Sequence, residues 1–170
     1  MYADEVFRGK LVRVDVVEEG GRGYEVVRMG DVAAVMAIRE ETGEILLVNQ
    51  RRPAVSATMW EIPAGRVEDG ESPFDCALRE LAEETGHQAS DAELLTSFYT
   101  SPGYSDERVL LYLVRNPELA DHVPPMDDGE DIEWAWCSPE MMFRSRDAKT
   151  LAGLGFLLSS GTGEDLFRRG

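Results

Sequence analysis

Residues 65–86 read GRVEDGESPFDCALRELAEETG, a stretch that combines helix-capping residues, an apolar stripe and a cluster of acids. Ser72 can accept a hydrogen bond from the amide three residues on. Pro73 suits the first helical position because its missing donor would be unpaired there, and Asp75 favours the positive helix end. A helix therefore starts at Ser72. Phe74, Ala77, Leu78 and Leu81 recur at three- and four-residue steps and form an apolar stripe, and Gly86 is placed to take the left-handed conformation that closes the helix. With the stripe turned inward, Glu80 and Glu84 lie one helical step apart beside it, and Glu83 lies further toward solvent. Three carboxylates gathered this way repel one another and call for a compensating cation. Their hard oxygens suit Mg2+ better than Zn2+. Because Mg2+ prefers few carboxylates completed by water and phosphate oxygens, a pyrophosphate-containing substrate is implied. Taken alone, the same residues also read as a solvated acidic helix face.

The rest of the chain is consistent with one enzyme domain. Its 170 residues, 43% of them apolar, can bury a single sizeable core. A formal net charge of −16 argues against nucleic-acid or anionic-membrane partners, whereas a small anionic ligand needs only a local reversal of the field. Cys76 and Cys137 lack paired metal spacing, so reduced thiols are expected. MYADEVFRGK carries no positive leader followed by an apolar run, and cytoplasmic location is expected by default. Residues 7–17 and 24–28 alternate around the turn 18–23 and predict an N-terminal hairpin. Residues 32–38 and 45–48 predict core strands buried on both faces, and 59–62, 94–99, 108–114 and 133–137 predict further strands. Residues 139–144 and 149–158 read as closing helices, the second burying Leu151, Leu154, Leu157 and Leu158. Residues 116–129, with three prolines and several acids, read as a loop. Mixed strands with few helices indicate α/β layering.

Gly65, five residues, Glu71, seven residues, then Arg79-Glu80-Leu81-x-Glu83-Glu84-x-Gly86 resembles the signature box of the Nudix hydrolase superfamily. The resemblance implies an α/β/α sandwich with a mixed sheet and an N-terminal antiparallel strand pair. Residues 1–30 would form N-terminal strands and 31–170 the Nudix domain. It also implies Mg2+, with Mn2+ as the alternative, bound by Glu80, Glu84, the Ala64 carbonyl and Glu83, the last directly or through water. Arg79 would be structural, paired with Glu71, while Gly65 and Gly86 shape the box. One departure is His87, where the family usually has an aliphatic residue; a partly exposed capping histidine is expected there.

Pro102, sixteen residues after Gly86, resembles the downstream proline of the ADP-ribose pyrophosphatase subfamily. Segments 6–10, 50–53, 60–65 and 147–150 are similar to the same subfamily. The implied reaction is Mg2+-dependent hydrolysis of ADP-ribose to AMP and ribose 5-phosphate, by a homodimer that exchanges its N-terminal strands. The alternatives are a Nudix pyrophosphatase acting on a nucleotide sugar, oxidised nucleotide or dinucleotide polyphosphate, and a non-enzymatic nucleotide sensor. Arg52 matches a substrate-contacting arginine and could clamp a phosphate; Arg51 is either a second contact or a surface charge. Phe7, Tyr24, Tyr99 or Tyr104 could stack on the base. The general base is expected from the acidic segment 127–131, with Glu130 ahead of Asp128.

Overall fold

The computed structural model describes residues 3–123 and 132–159. Strands β1 (Ala3–Arg8), β2 (Arg13–Glu19) and β3 (Arg22–Arg28) form an antiparallel sheet of their own. The expected hairpin is present, with a third strand added. The alternation read across residues 7–17 is broken by a tight turn in which the Gly9 amide bonds the Val12 carbonyl at 2.8 Å. A turn that short leaves the apolar–polar rhythm almost undisturbed.

The main sheet contains β4 (Asp31–Ile38), β5 (Ile45–Arg52), β6 (Ala57–Glu61) and β7 (Ala64–Arg66). After helix α1 (Pro73–Thr85) come β8 (His87–Gln88), β9 (Glu93–Tyr99), β10 (Arg108–Arg115), β11 (Glu118–Leu119) and β12 (Ile132–Cys137). A 3-10 helix, Pro139–Arg144, and helix α2 (Ala148–Ser159) follow. The sheet runs β12-β5-β4-β10-β9, with β6 on β5 and β7 on β4. Among the described residues only the β4–β10 pair is parallel within it, so the sheet is mixed. β8 and β11 pair separately.

Period-two alternation in β4 produces the layers. Ala33, Val35 and Ala37 face Cys76, Ala77 and Leu81 of α1, whereas Ala34, Met36 and Ile38 face Met142, Leu154 and Leu157. Helices thus cover both faces of β4, giving the expected α/β/α sandwich. The buried face of α2 differs from the expected leucine stripe. Leu154 and Leu157 are buried, but Leu151 and Leu158 are exposed, and Lys149, Thr150 and Gly153 take the remaining inward positions. The reason is polar: Thr150 Oγ1 accepts the Ile62 amide at 2.9 Å, and Lys149 reaches the buried Glu61.

The N-terminal sheet is tied to the sandwich by Asp106, which accepts the Met29 amide at 2.8 Å and pairs with Arg28 at 3.2 Å. Arg66 adds bonds to the carbonyls of Leu11 and Met29, both at 2.9 Å. Among the described residues no helix is long and apolar enough to cross a membrane. Both cysteines are free thiols. Burial pushes the Cys76 thiol up to about 12, a protonated and unreactive state.

Candidate active site

Helix α1 starts and ends where its sequence requires. Ser72 Oγ accepts the Asp75 amide at 3.1 Å, Pro73 opens the first turn, and Gly86 closes the helix at φ 67° with its amide on the Ala82 carbonyl. These caps fix the rotation of the helix, and the Cys76, Ala77 and Leu81 contacts fix which face turns inward. Glu80, Glu83 and Glu84 are thereby carried to the edge of the sheet beside β7.

Each glutamate is held differently. Glu84, almost wholly buried, accepts the Ala64 amide at 3.0 Å, which locks the helix to β7. The Glu80 carboxylate lies against the Cα of Gly65, so closely that a Cβ built there would overlap it. Gly65 is therefore glycine because the carboxylate occupies the side-chain position. Glu83 is the most accessible of the three and receives Arg79 Nη1 at 2.8 Å. The same Nη1 reaches Glu80 at 2.7 Å. Arg79 Nε and Nη2 grip Glu71 in two-point fashion at 2.8 and 3.1 Å, and Glu71 in turn accepts the Glu68 amide at 3.1 Å. Arg79 holds the Glu71 carboxyl below the usual carboxylate range. The expected Arg79–Glu71 pair is thus present, and it ties the loop before α1 to the helix.

The hard-oxygen donor set and the glycine cradle around Glu80 fit a magnesium-like ion. The fit is to an open site. Among the described residues no three acidic, histidine or cysteine side chains converge on one point, because Arg79 draws Glu80 and Glu83 to itself while Glu84 bonds Ala64. An ion that keeps several water or phosphate oxygens needs no closed protein cage.

Beside this cluster is a charge network that sequence reasoning missed. Glu61, 1% exposed, receives Arg52 Nε and Nη2 at 3.0 and 2.8 Å, and Lys149 closes on its Oε2. Lys149 also meets Asp147 at 3.0 Å. Burial alone would raise the Glu61 carboxyl, but the Arg52 and Lys149 cations bring it below its ordinary value. Arg52, the expected phosphate clamp, therefore presents its fork to Glu61, close enough to Glu84 to feel its charge. The tryptophan-led run Trp60-Glu61 was visible in sequence, but nothing local announced that its acid would be buried.

The other expected site residues are scattered. Arg51 and Tyr104 are exposed, and their side chains form no hydrogen bond or ion pair with a described residue; Pro102 is exposed in the loop that docks on β3 through the Tyr104 carbonyl. Glu130 and Asp128 lie outside the described residues. His87 corrects the expectation of a partly exposed cap: it is 1% exposed. Its ring meets Trp134 and Trp136 edge-on at 4.9 and 5.4 Å. The Trp136 indole N–H donates to His87 Nε2 at 3.3 Å, and Nδ1 donates to the Thr85 carbonyl at 2.9 Å, so the ring serves as a neutral packing unit. Burial lowers its pKa. A cavity of about 350 Å³ opens beside Glu83 and Glu84, walled by Leu119, Val123, Ile132 and Trp134. Trp134 was absent from the aromatic candidates because it sat in an unremarkable alternating strand.

Comparisons with known proteins agree with this geometry. The NUDIX domain family model matches residues 29–154. The chain is 38% identical over 135 residues to an ADP-ribose pyrophosphatase of Bacillus subtilis, covering 76% of this chain and 72% of that protein. It is 41% identical over 129 residues to an ADP-ribose pyrophosphatase of Mycobacterium tuberculosis, covering 74% and 62%. A crystal structure of an ADP compounds hydrolase superposes with a TM-score of 0.79 at 20% identity, covering 96% of this chain and 94% of that one, a likeness of fold. On the family match and these relatives, the chain belongs to the NUDIX domain family and is a Nudix hydrolase.

Proposed function

We propose that this enzyme hydrolyses the pyrophosphate bond of ADP-ribose, with Mg2+ or Mn2+, to give AMP and ribose 5-phosphate. The observation that carries the reaction type is the cluster of Glu80, Glu83 and Glu84 seated against Ala64 and Gly65. The choice of ADP-ribose is supported by the two relatives that bear that activity in their names. On this reading Glu80, Glu84, Glu83 and the Ala64 carbonyl hold the ion. When bound, it would polarise the pyrophosphate and lower the pKa of an attacking water. The chain's own residues do the rest. Gly65 gives the Glu80 carboxylate room, Glu71 and Arg79 hold the loop before the helix, and Glu84 fixes that loop's far end through the Ala64 amide. Arg51 and Arg52 supply positive charge for the phosphates, with Pro102 and Tyr104 shaping the substrate side. Glu130, or in its place Asp128, accepts the proton of the attacking water. Residues 1–30 pair with a second copy, a reading supported by Val6, Phe7, Leu11 and Tyr24 standing exposed on the N-terminal strands and the turn between them. The free thiols suit the cytoplasm.

A substrate panel tests the assignment. ADP-ribose should give the highest kcat/KM among ADP-ribose, a nucleotide sugar, an oxidised nucleoside triphosphate and a dinucleotide polyphosphate. A clear preference for one of the others overturns the substrate, and leaves the metal residues as they stand.

A further inference from the structure

The carboxylates proposed to attract a divalent ion already share a cation supplied by their own helix. Arg79 Nη1 lies 2.7 Å from Glu80 Oε1 and 2.8 Å from Glu83 Oε2. A guanidinium nitrogen of this type carries two N–H bonds, so one goes to each glutamate. The opposite edge of the group is engaged elsewhere: Nε and Nη2 meet Glu71, and Nη2 also reaches the Arg66 carbonyl at 3.2 Å. Because the guanidinium is planar and rigid, the grip on Glu71 determines where Nη1 points. That direction is between two of the three candidate ligands.

Each carboxylate oxygen has two lone pairs and Nη1 engages one, so a divalent ion that draws on Glu80 Oε1 or Glu83 Oε2 competes with Nη1 for the same negative charge. The Arg79, Glu80 and Glu83 side chains are 25%, 13% and 22% exposed, so water screens that competition only partly. Resting on the metal reading above, we infer that Arg79 is an internal counter-cation for Glu80 and Glu83. Its Nη1 end yields when a divalent ion loads, while its Nε edge stays on Glu71. The arginine thus acts as a positioning residue that offsets the charge of the two carboxylates and sets metal affinity below what the bare carboxylates would give. A purely structural arginine predicts the opposite sign, since its loss would scatter the ligands and weaken binding.

Calorimetric titration of Mn2+ into the wild type, Arg79→Gln and Glu71→Gln separates the two. Removing the competing charge should tighten Mn2+ binding about tenfold in Arg79→Gln. Glu71→Gln, which frees the guanidinium to turn wholly onto Glu80 and Glu83, should weaken it. Unchanged or weaker binding by Arg79→Gln overturns the inference, whereas a wild type that binds no divalent ion overturns the metal reading itself. If Arg79→Gln does not fold, the wild type decides by 15N NMR of arginine side chains during Mg2+ titration. The Arg79 Nη1 signals should lose their hindered rotation while the Nε–H signal persists; Nη1 signals unaltered at saturating Mg2+ overturn the inference.

Discussion

Gly65→Ala should separate folding from catalysis. Gly65 lies in β7, paired with Ala33 of the central strand β4, so its backbone is held in the sheet and cannot simply retreat. Its φ is one that an L-residue adopts freely, so alanine brings no backbone strain. The whole cost falls on the Glu80 carboxylate, which the new methyl would overlap. To regain the ~3.5 Å separation of non-bonded atoms the carboxylate must withdraw by roughly 1–2 Å. It is the far end of a flexible side chain, so it can do so at the expense of its 2.7 Å contact with Arg79. A part-exposed ion pair of this kind contributes about 0–1 kcal/mol, and alanine in place of glycine recovers about 0.5–1 kcal/mol of backbone entropy. Urea unfolding should therefore change by no more than about 1 kcal/mol. Catalysis should not be spared, because misplacing a reacting or ligating group by ~1 Å costs on the order of a hundredfold in rate. A hundredfold loss in kcat/KM is about 2.7 kcal/mol of transition-state stabilisation, well above the stability change. A Gly65→Ala enzyme with wild-type AMP release would refute the placement of Glu80 in the working site. A variant destabilised by more than about 3 kcal/mol would refute the claim that the side chain swings clear.

The Glu61 network and His87 give two further expectations. Glu61→Ala leaves Lys149 buried without its nearest acid and should lower unfolding free energy by about 3–5 kcal/mol in urea denaturation, a loss too large for a surface ion pair. A change under about 1 kcal/mol would show that the buried charges are not mutually dependent. His87 is buried neutral, and burial holds its folded-state pKa below the unfolded value of about 6.5. The unfolded chain then binds the proton first, so stability is fully present above pH ~6.5 and falls as the pH drops from there toward the folded-state pKa. Urea midpoints measured from pH 7.5 to 5 should decline in the wild type, and the decline should be shallower in His87→Phe; equal slopes would contradict a neutral buried ring.

What could be read from sequence was mostly local. Ser72, Pro73, Asp75 and Gly86 fix α1 through contacts within four residues, and their signals are correspondingly sharp. The unbroken apolar run of β4 announced burial on both faces, and both faces are covered. What sequence did not disclose depends on partners far along the chain. Glu61 is buried because Lys149 arrives 88 residues later, and that same need for a cation turns Lys149 and Thr150 inward in place of Leu151. His87 looks like an exposed cap until β12 brings Trp134 and Trp136 over it. The acidic cluster was legible from helical spacing, but its counter-charge was only half read: Arg79 was expected to face Glu71, and it faces Glu80 and Glu83 as well.

Whether Glu80, Glu83 and Glu84 support metal-dependent cleavage of a nucleoside diphosphate is decided by product analysis. Wild type and Glu84→Gln are incubated with ADP-ribose over a Mg2+ titration, and AMP and ribose 5-phosphate are quantified together. The wild type should give equimolar products only when Mg2+ is present, and Glu84→Gln should lose at least about a hundredfold in rate at every Mg2+ concentration. Undiminished hydrolysis by Glu84→Gln, or product formation by the wild type that ignores Mg2+, would contradict it.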